Sequence, residues 1–306
     1  MSFSGYNVFT KGENSVREYL KAFMSEFEYP LNATTELLSA YDTLNALCGY
    51  ELSDMIAEYN SDNKLDYEIF EENIKQISKN ADIHEYTGAL ILLLCLTKKL
   101  REYYRETGIS DDIFRNTVLD LRYKLDECIC VHGVVGTFVL KWFWGFFKLE
   151  RFALGRLQFE VVNFGADYEI DGVKLTPDTR VLNIHIPRTG TRLDHDSVLA
   201  SYKLAADFYR AELGEKIAFV CSSWLLFPRH REMLSATSNL IAFIDDFEII
   251  SSGEYSNYGE VWRLFDKMYD GDVTHLPADS SLRRAYINLI SHGEKTGWGK
   301  GVFLYK

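Results

Sequence analysis

Apolar residues recur every three to four positions through the first 130 residues, and at every second position in short runs beyond 150. Val16, Tyr19, Leu20, Phe23 and Phe27 form the first helical stripe. Thr34 and Thr35 read as a capped start ahead of a second stripe, Leu37, Tyr41, Leu44, Leu47 and Cys48, which stops before Gly49. A short helix is expected over 50–60, ended by the polar turn 61–64. Tyr67, Phe70, Ile74 and Ile77 make the next stripe. Residues 83–107 predict the longest helix. Its centre, 89–96, is apolar all round and so belongs inside a bundle. Gly108 ends it, and Ser110, Asp111 and Asp112 cap a further helix carrying Ile113, Phe114, Val118, Leu121 and Leu125. No strand-like alternation precedes Gly133, which predicts an all-helical first half.

The pattern then changes. The aromatic segment 141–149 reads as a linking helix at a domain junction. Strands are predicted over 155–164, 166–175 and 180–186. Asp171-Gly172 signals a hairpin turn, so the first two join a meander leading into the third. A helix over 195–213 precedes a buried strand over 216–223, and the unit 180–222 fits a parallel crossover. A helical piece near 229–235, a partly extended stretch over 238–250, helices near 257–269 and 280–291, and a last strand at 301–305 complete the chain. The fold class is therefore α+β, with an all-helical domain over 1–135 and a mixed α/β domain over 136–306 around a central, partly antiparallel sheet.

Length and composition narrow the picture. A chain of 306 residues with 47% hydrophobic and 25% charged residues is globular and of a length for two domains. A net charge of −12 opposes nonspecific binding to nucleic acid or to anionic membranes. The apolar run 89–96 is too short to span a bilayer, and the first residues lack the basic-then-apolar form of a secretory leader. Five cysteines without a paired framework suit the reducing cytoplasm.

Two constellations offer chemistry. The first is the loop after the 180–186 strand, with Arg188, Thr189, Gly190, Thr191 and Arg192, leading to the helix at 195. Free backbone N–H groups and the helix dipole favour an anion there, and the arginines add charge. The plainer reading is a solvated loop with an Asp194 cap. The second comes from strand alternation, which puts Arg156, Gln158 and Glu160 on one face and Asn183 with His185 on another. Such faces need partners or a wet cleft. They form either a structural hydrogen-bond network or a cleft floor in which Glu160 or His185 acts as general base. Other motifs read as structural. Cys221, Ser222 and Ser223 lack a G-x-S-x-G elbow. Cys128, Cys130 and His132 lack a second cysteine pair, so no metal is expected. Asp194-His195-Asp196 reads as a helix start, and 297–301 as a glycine turn into the last strand.

The segments 155–160, 183–209, 219–228, 238–247 and 275–290, in this order, resemble bacterial two-domain acyltransferase-like proteins. These join a helical N-acyltransferase N-terminal domain to a GNAT-like C-terminal domain. The resemblance covers nearly the whole chain and is strongest from about 125 onward. It implies an N-acyltransferase that moves an acyl group directly from acyl-CoA to a small-molecule or peptide amine, with a homodimer as a compatible assembly. It implies a coenzyme A pyrophosphate at Arg188, Thr189, Gly190, Thr191 and Arg192. The usual glycine signature is compressed there, and Arg192 stands near the place of its second glycine. In that chemistry Glu160 or His185 is the base and Tyr202, with Tyr209 behind it, the acid. A non-catalytic GNAT-fold module binding another ligand or a protein is the alternative. Recognition of a lipid surface by the aromatic segment 141–149 is a third reading.

Overall fold

The apolar stripes of the first half fold as α1 (Glu13–Glu26), α2 (Leu31–Ser61), α3 (Tyr67–Asn80), α4 (Glu85–Glu106), α5 (Asp111–His132) and α6 (Leu140–Phe147) in a computed structural model that describes residues 13–305. Residues 1–12, on which the reading against a secretory leader mainly rests, lie outside the described residues. Helix α2 begins directly after Pro30, and the hydroxyl of Thr35 donates to the Leu31 carbonyl at 2.8 Å instead of capping. The two helices expected on either side of Gly49 are one run bent at Cys48, where φ is −136° and ψ is 27°. Asp66 and Ser110 cap α3 and α5 by accepting backbone N–H bonds, as helix starts require. Helix α4 is buried on every side from Thr87 to Thr97, because α1, α2, α3, α5 and α6 all pack on it.

Helix α6 belongs to this helical unit. Trp144 packs on Tyr67 with ring centroids 4.5 Å apart, and its indole N–H donates to Glu71 at 2.8 Å. Trp142 donates to the buried Asp120 at 2.9 Å, and the Tyr59 hydroxyl donates to the Phe147 carbonyl at 3.0 Å. The compact unit therefore runs through Leu149, with the second beginning at Glu150, rather than dividing at 135/136. Phe143, Trp144, Phe146 and Phe147 are all buried, and Trp142 is half-buried, so this segment offers little aromatic surface to a lipid bilayer. Among the described residues no helix is long and apolar enough to cross a membrane.

The second unit is built on β1 (Arg151–Leu154), β2 (Leu157–Asn163), β5 (Arg180–His185), β6 (Ile217–Ser223), β8 (Gly297–Tyr305) and β7 (Glu248–Glu254), in that spatial order. Every neighbouring pair is antiparallel except β5 and β6, which α7 (His195–Leu213) joins as a crossover. The fold is α+β, as expected. The first predicted strand becomes β2, the second arm of a hairpin in which β1 and β2 meet through Gly155-Arg156 with Leu154 opposite Leu157. Gly155 has φ +74°, as the first central residue of a two-residue turn requires. Arg156 thus lies in the turn and not on the β2 face. The meander does not form either. β2 pairs directly with β5, and β3 (Tyr168–Ile170) with β4 (Val173–Leu175) make a separate ribbon around Asp171-Gly172.

The remaining helices are α8 (His230–Met233), α9 (Asn239–Asp245), α10 (Trp262–Phe265) and α11 (Ser281–Ser291). Where a helix was expected over 257–269, only the one turn of α10 forms. The stretch 238–250 splits into α9 and the start of β7. The glycines at 297–301 lie inside β8 and not in a turn before it. A Cβ on Gly299 would stand 2.2 Å from the Leu226 carbonyl oxygen, so the strand needs glycine to lie against the backbone before α8.

The two faces of the large sheet differ. One carries Phe159, Leu182, Ile184, Phe219, Cys221 and Phe303, nearly all buried under α7 and α9. Phe219 and Phe303 stack at 5.0 Å, and Tyr209 on α7 donates to the Phe159 carbonyl at 3.2 Å. The other face is apolar at one end, where Val181, Ala218, Val220 and Val302 pack with Ile170 and Leu175 of the β3–β4 ribbon. At its other end it is polar.

Candidate active site

The polar end of that face is assembled from three adjacent strands. The β1–β2 register sets Arg151 opposite Glu160, and the β2–β5 register sets Glu160 opposite Asn183 and Gln158 opposite His185. Cross-strand partners on one face have interacting side chains, and those around Glu160 do. The Arg151 guanidinium donates to Glu160 at 2.5 and 3.0 Å. Asn183 Nδ2 donates to Glu160 Oε1 at 3.1 Å, and His185 Nε2 lies 2.6 Å from the same oxygen. The short contact fixes the tautomer. Nε2 carries the proton donated to Glu160, which makes Nδ1 the accepting nitrogen of the neutral ring. Burial pushes the Glu160 carboxyl upward, but its hydrogen bonds and charge contacts with His185 and Arg151 outweigh this and hold it at about 2.

Glu160 is therefore a carboxylate at neutral pH, and a weak base. His185, oriented by Glu160, is the group able to take a proton. The pair repeats the carboxylate–imidazole logic of catalytic dyads, in which the acid aims the ring and stabilises its charged form.

Tyr202 is not with them. Its ring packs on Phe219 and Phe303 at 5.6 and 4.8 Å, on the face opposite Glu160 and His185. Its hydroxyl donates to Asp246 at 3.1 Å, and burial first, then Asp246, raises it far above the ordinary phenol range. Asp246 also pairs with His195 at 2.9 Å, linking the first turn of α7 to the end of α9. Tyr209 is on the same side as Tyr202. The sheet thus separates the expected acid from the expected base.

The loop at 188–194 follows β5 as expected. Gly190 has φ +77° and open space around it, and Arg192 is exposed. Thr189 and Thr191 join hydroxyls at 2.7 Å. Asp194 caps α7 by accepting from Ser197 N at 2.9 Å, so a carboxylate already stands at the helix start. Arg188 is held by Asp266 at 2.8 Å, and the second oxygen of Asp266 accepts from Arg283 at 2.7 Å. Arg156 donates to the Pro187 carbonyl at 2.9 Å and so ties the β1–β2 turn to the start of the loop.

Next to this loop the sheet opens. β5 continues to His185 and β6 to Ser223, yet the two strands pair only at Leu182 with Phe219 and Asn183 with Val220. Beyond Asn183 and Val220 the register between the two strands is not continued. An extended ligand with amide groups could lie along such a parting, with its anionic end toward 188–194 and its other end beside His185.

The other sequence motifs stay structural. Cys221 is fully buried, and burial pushes its thiol up to about 12, which rules out a ready nucleophile. Cys128 is buried while Cys130 is exposed, and no group of metal-ligating side chains occurs among the described residues. Arg151 and Asp266 went unnoticed in the sequence, and Arg156 was placed on a strand face instead of in the turn. Arg151 sits on a strand of four residues, too short to show alternation. Asp266 reaches Arg188 only through tertiary folding.

Residues 18–149 match the N-acyltransferase N-terminal domain, and residues 152–303 match the GNAT-like C-terminal domain. Among solved structures, an acyltransferase in complex with decanoyl-CoA and teicoplanin is similar at 21% identity with a TM-score of 0.72, covering 94% of this chain and 88% of that one. A mutant acyltransferase in complex with octanoyl-CoA matches at 20% identity, with a TM-score of 0.72 and the same coverage. An acyltransferase in complex with CoA and 10C-teicoplanin matches at 21% identity and a TM-score of 0.70, over 92% of this chain and 86% of that one. At these identities the likeness establishes the fold. No curated protein matches the chain.

Proposed function

Because this chain belongs to the family that joins an N-acyltransferase N-terminal domain to a GNAT-like C-terminal domain, we propose that it is an acyl-CoA-dependent N-acyltransferase. The observation that carries the reading is the parting of β5 and β6 beside the Glu160–His185 pair, with the arginine-bearing loop directly after β5. The parting suits the pantetheine arm of an acyl-CoA, whose amides can pair with the open strand edges. Arg188 and Arg192, with Thr189, Gly190 and Thr191 between them, suit its phosphates. The similar acyltransferases hold octanoyl-CoA and decanoyl-CoA, which supports a medium-length acyl chain here as well. One of them holds teicoplanin beside its decanoyl-CoA, which supports a small-molecule or peptide amine as acceptor. Five unpaired cysteines fit a cytoplasmic setting.

His185 serves as the base, taking the proton of the acceptor amine on Nδ1 while Glu160 stabilises the charged ring through Nε2. The amine nitrogen attacks the thioester carbonyl, the C–N bond forms, the C–S bond breaks, and the proton held by His185 passes to the leaving thiolate. No enzyme nucleophile is needed, in keeping with the buried Cys221. Tyr202 has no part in this step. Isothermal titration with acetyl-, octanoyl- and decanoyl-CoA is the test. Saturable binding is expected, and no binding of any of them at millimolar concentration would remove the proposal.

One set of observations favours the alternative, a non-catalytic module with this fold. Asp266 occupies Arg188, and Asp194 occupies the start of α7. Release of free coenzyme A from a bound acyl-CoA on adding an amine decides between the two readings, since a binding module releases none.

A further inference from the structure

Glu160, Asn183, His185 and Arg151 satisfy one another, but the fifth strand residue of the polar face does not join them. Gln158 is 1% exposed, and its side-chain carbonyl oxygen is buried with no hydrogen-bond partner among the described residues. A buried acceptor without a donor destabilises the fold, and native chains keep few of them unless the site is meant for something else. Gln158 is the direct cross-strand partner of His185, which puts their Cβ atoms roughly 4.5–5.5 Å apart on the same face. The terminal torsion of a glutamine amide is soft, so its carbonyl can swing toward a group held at the imidazole.

We propose that Gln158 is a specificity-determining residue that accepts a hydrogen bond from the attacking nitrogen and so selects amines over hydroxyl acceptors. This rests on the acyltransferase reading above. A neutral primary amine brings two N–H groups. One proton passes to His185 as the C–N bond forms and the C–S bond breaks, while the other donates to Gln158 throughout. A hydroxyl brings one proton only, which His185 must take, leaving Gln158 unpartnered. Sites built to hydrogen-bond a substrate N–H or O–H reject analogues that lack it, because the buried group of the site is then left bare.

Ethanolamine carries both nucleophiles on a molecule small enough to enter any acceptor site. With decanoyl-CoA as donor, mass spectrometry separates the N-acyl from the O-acyl product. In Gln158→Leu the orphaned acceptor is gone, so the melting temperature is expected to hold or rise. Decanoyl-CoA affinity should stay within twofold, and the amide-to-ester ratio should fall at least tenfold. Gln158→Met, with the same length and no acceptor, should behave alike and covers a folding failure of the first variant. A ratio unchanged in either folded variant, or amide and ester falling in parallel, overturns the inference. Wild-type protein that binds decanoyl-CoA but makes no amide from ethanolamine also overturns it, with the acyl-CoA reading left intact. Absence of decanoyl-CoA binding removes both.

Discussion

Replacing Glu160 by glutamine should destabilise the sheet unit in a way that fades with acid. The Glu160 carboxyl is held at about 2 against an ordinary value of 4.5 by His185 and Arg151, despite its burial. That displacement corresponds to about 3 kcal/mol at roughly 1.4 kcal/mol per pH unit. The group is partly open to solvent, whose screening reduces this to about 1.5 kcal/mol. Because the folded value is depressed, the stabilisation is complete above about pH 4.5, shrinks as pH falls, and is gone below about 2. At neutral pH, E160Q should therefore melt about 3–6 °C lower, using about 2–4 °C per kcal/mol for a unit of this size. By pH 3 the free-energy difference should be about 0.6 kcal/mol, less than half its neutral value. Thermal and urea unfolding of both proteins at pH 7, 5, 4 and 3 measures this, and comparing the pair cancels the titrating groups that do not touch Glu160. A difference that stays constant from pH 7 to pH 3, or grows, would refute the account of Glu160 as a carboxylate held by Arg151 and His185.

Three further outcomes follow from the geometry. His185→Gln should lower kcat by about 10²–10⁴-fold, the usual worth of a general base, with decanoyl-CoA affinity in titration unchanged; a rate within threefold of wild type would dismiss His185 as the base. Gly299→Ala places a Cβ 2.2 Å from the Leu226 carbonyl oxygen and should cost about 1–3 kcal/mol by overpacking; equal urea midpoints for the two proteins would contradict that close approach. Iodoacetamide at pH 8 should label native protein at exposed Cys130 and spare Cys95, Cys128 and Cys221, whose thiols burial pushes up to about 12; peptide mapping that finds Cys221 modified before unfolding would count against its burial.

Helical periodicity exposed α3, α4 and α5 well, because their stripes are long and their caps are local. Strand alternation also marked the polar face that carries Glu160 and, separately, the one that carries Asn183 with His185, since alternation along a strand survives in the sequence. What it missed depended on pairing between distant segments. β1 is too short to declare itself, so Arg156 was put on a strand instead of in a turn. The ribbon β3–β4 was read into the sheet because a hairpin signal says that two strands pair, not what they pair with next. Tyr202 was drawn toward the base by its nearness in sequence to the loop. Which side of a sheet a helix covers is fixed by the crossover, and no local signal reports it. The aromatic residues of α6 read as a junction because their partners, Tyr67, Glu71 and Asp120, lie far back in the chain.

The bond between Arg188 and Asp266 has a consequence for how any anion would bind at the loop. An isolated surface arginine sheds diffuse salt ions when it takes up a phosphate, and its affinity falls steeply as ionic strength rises. Here the counterion is built into the chain. Asp266 keeps Arg283 when it lets go of Arg188, so the exchange swaps one carboxylate for an incoming anion without baring either charge. Binding at this arginine is thus an internal ion exchange. Its salt dependence should be shallower in the native chain than in Asp266→Asn, where dissolved ions must take over the role of the carboxylate.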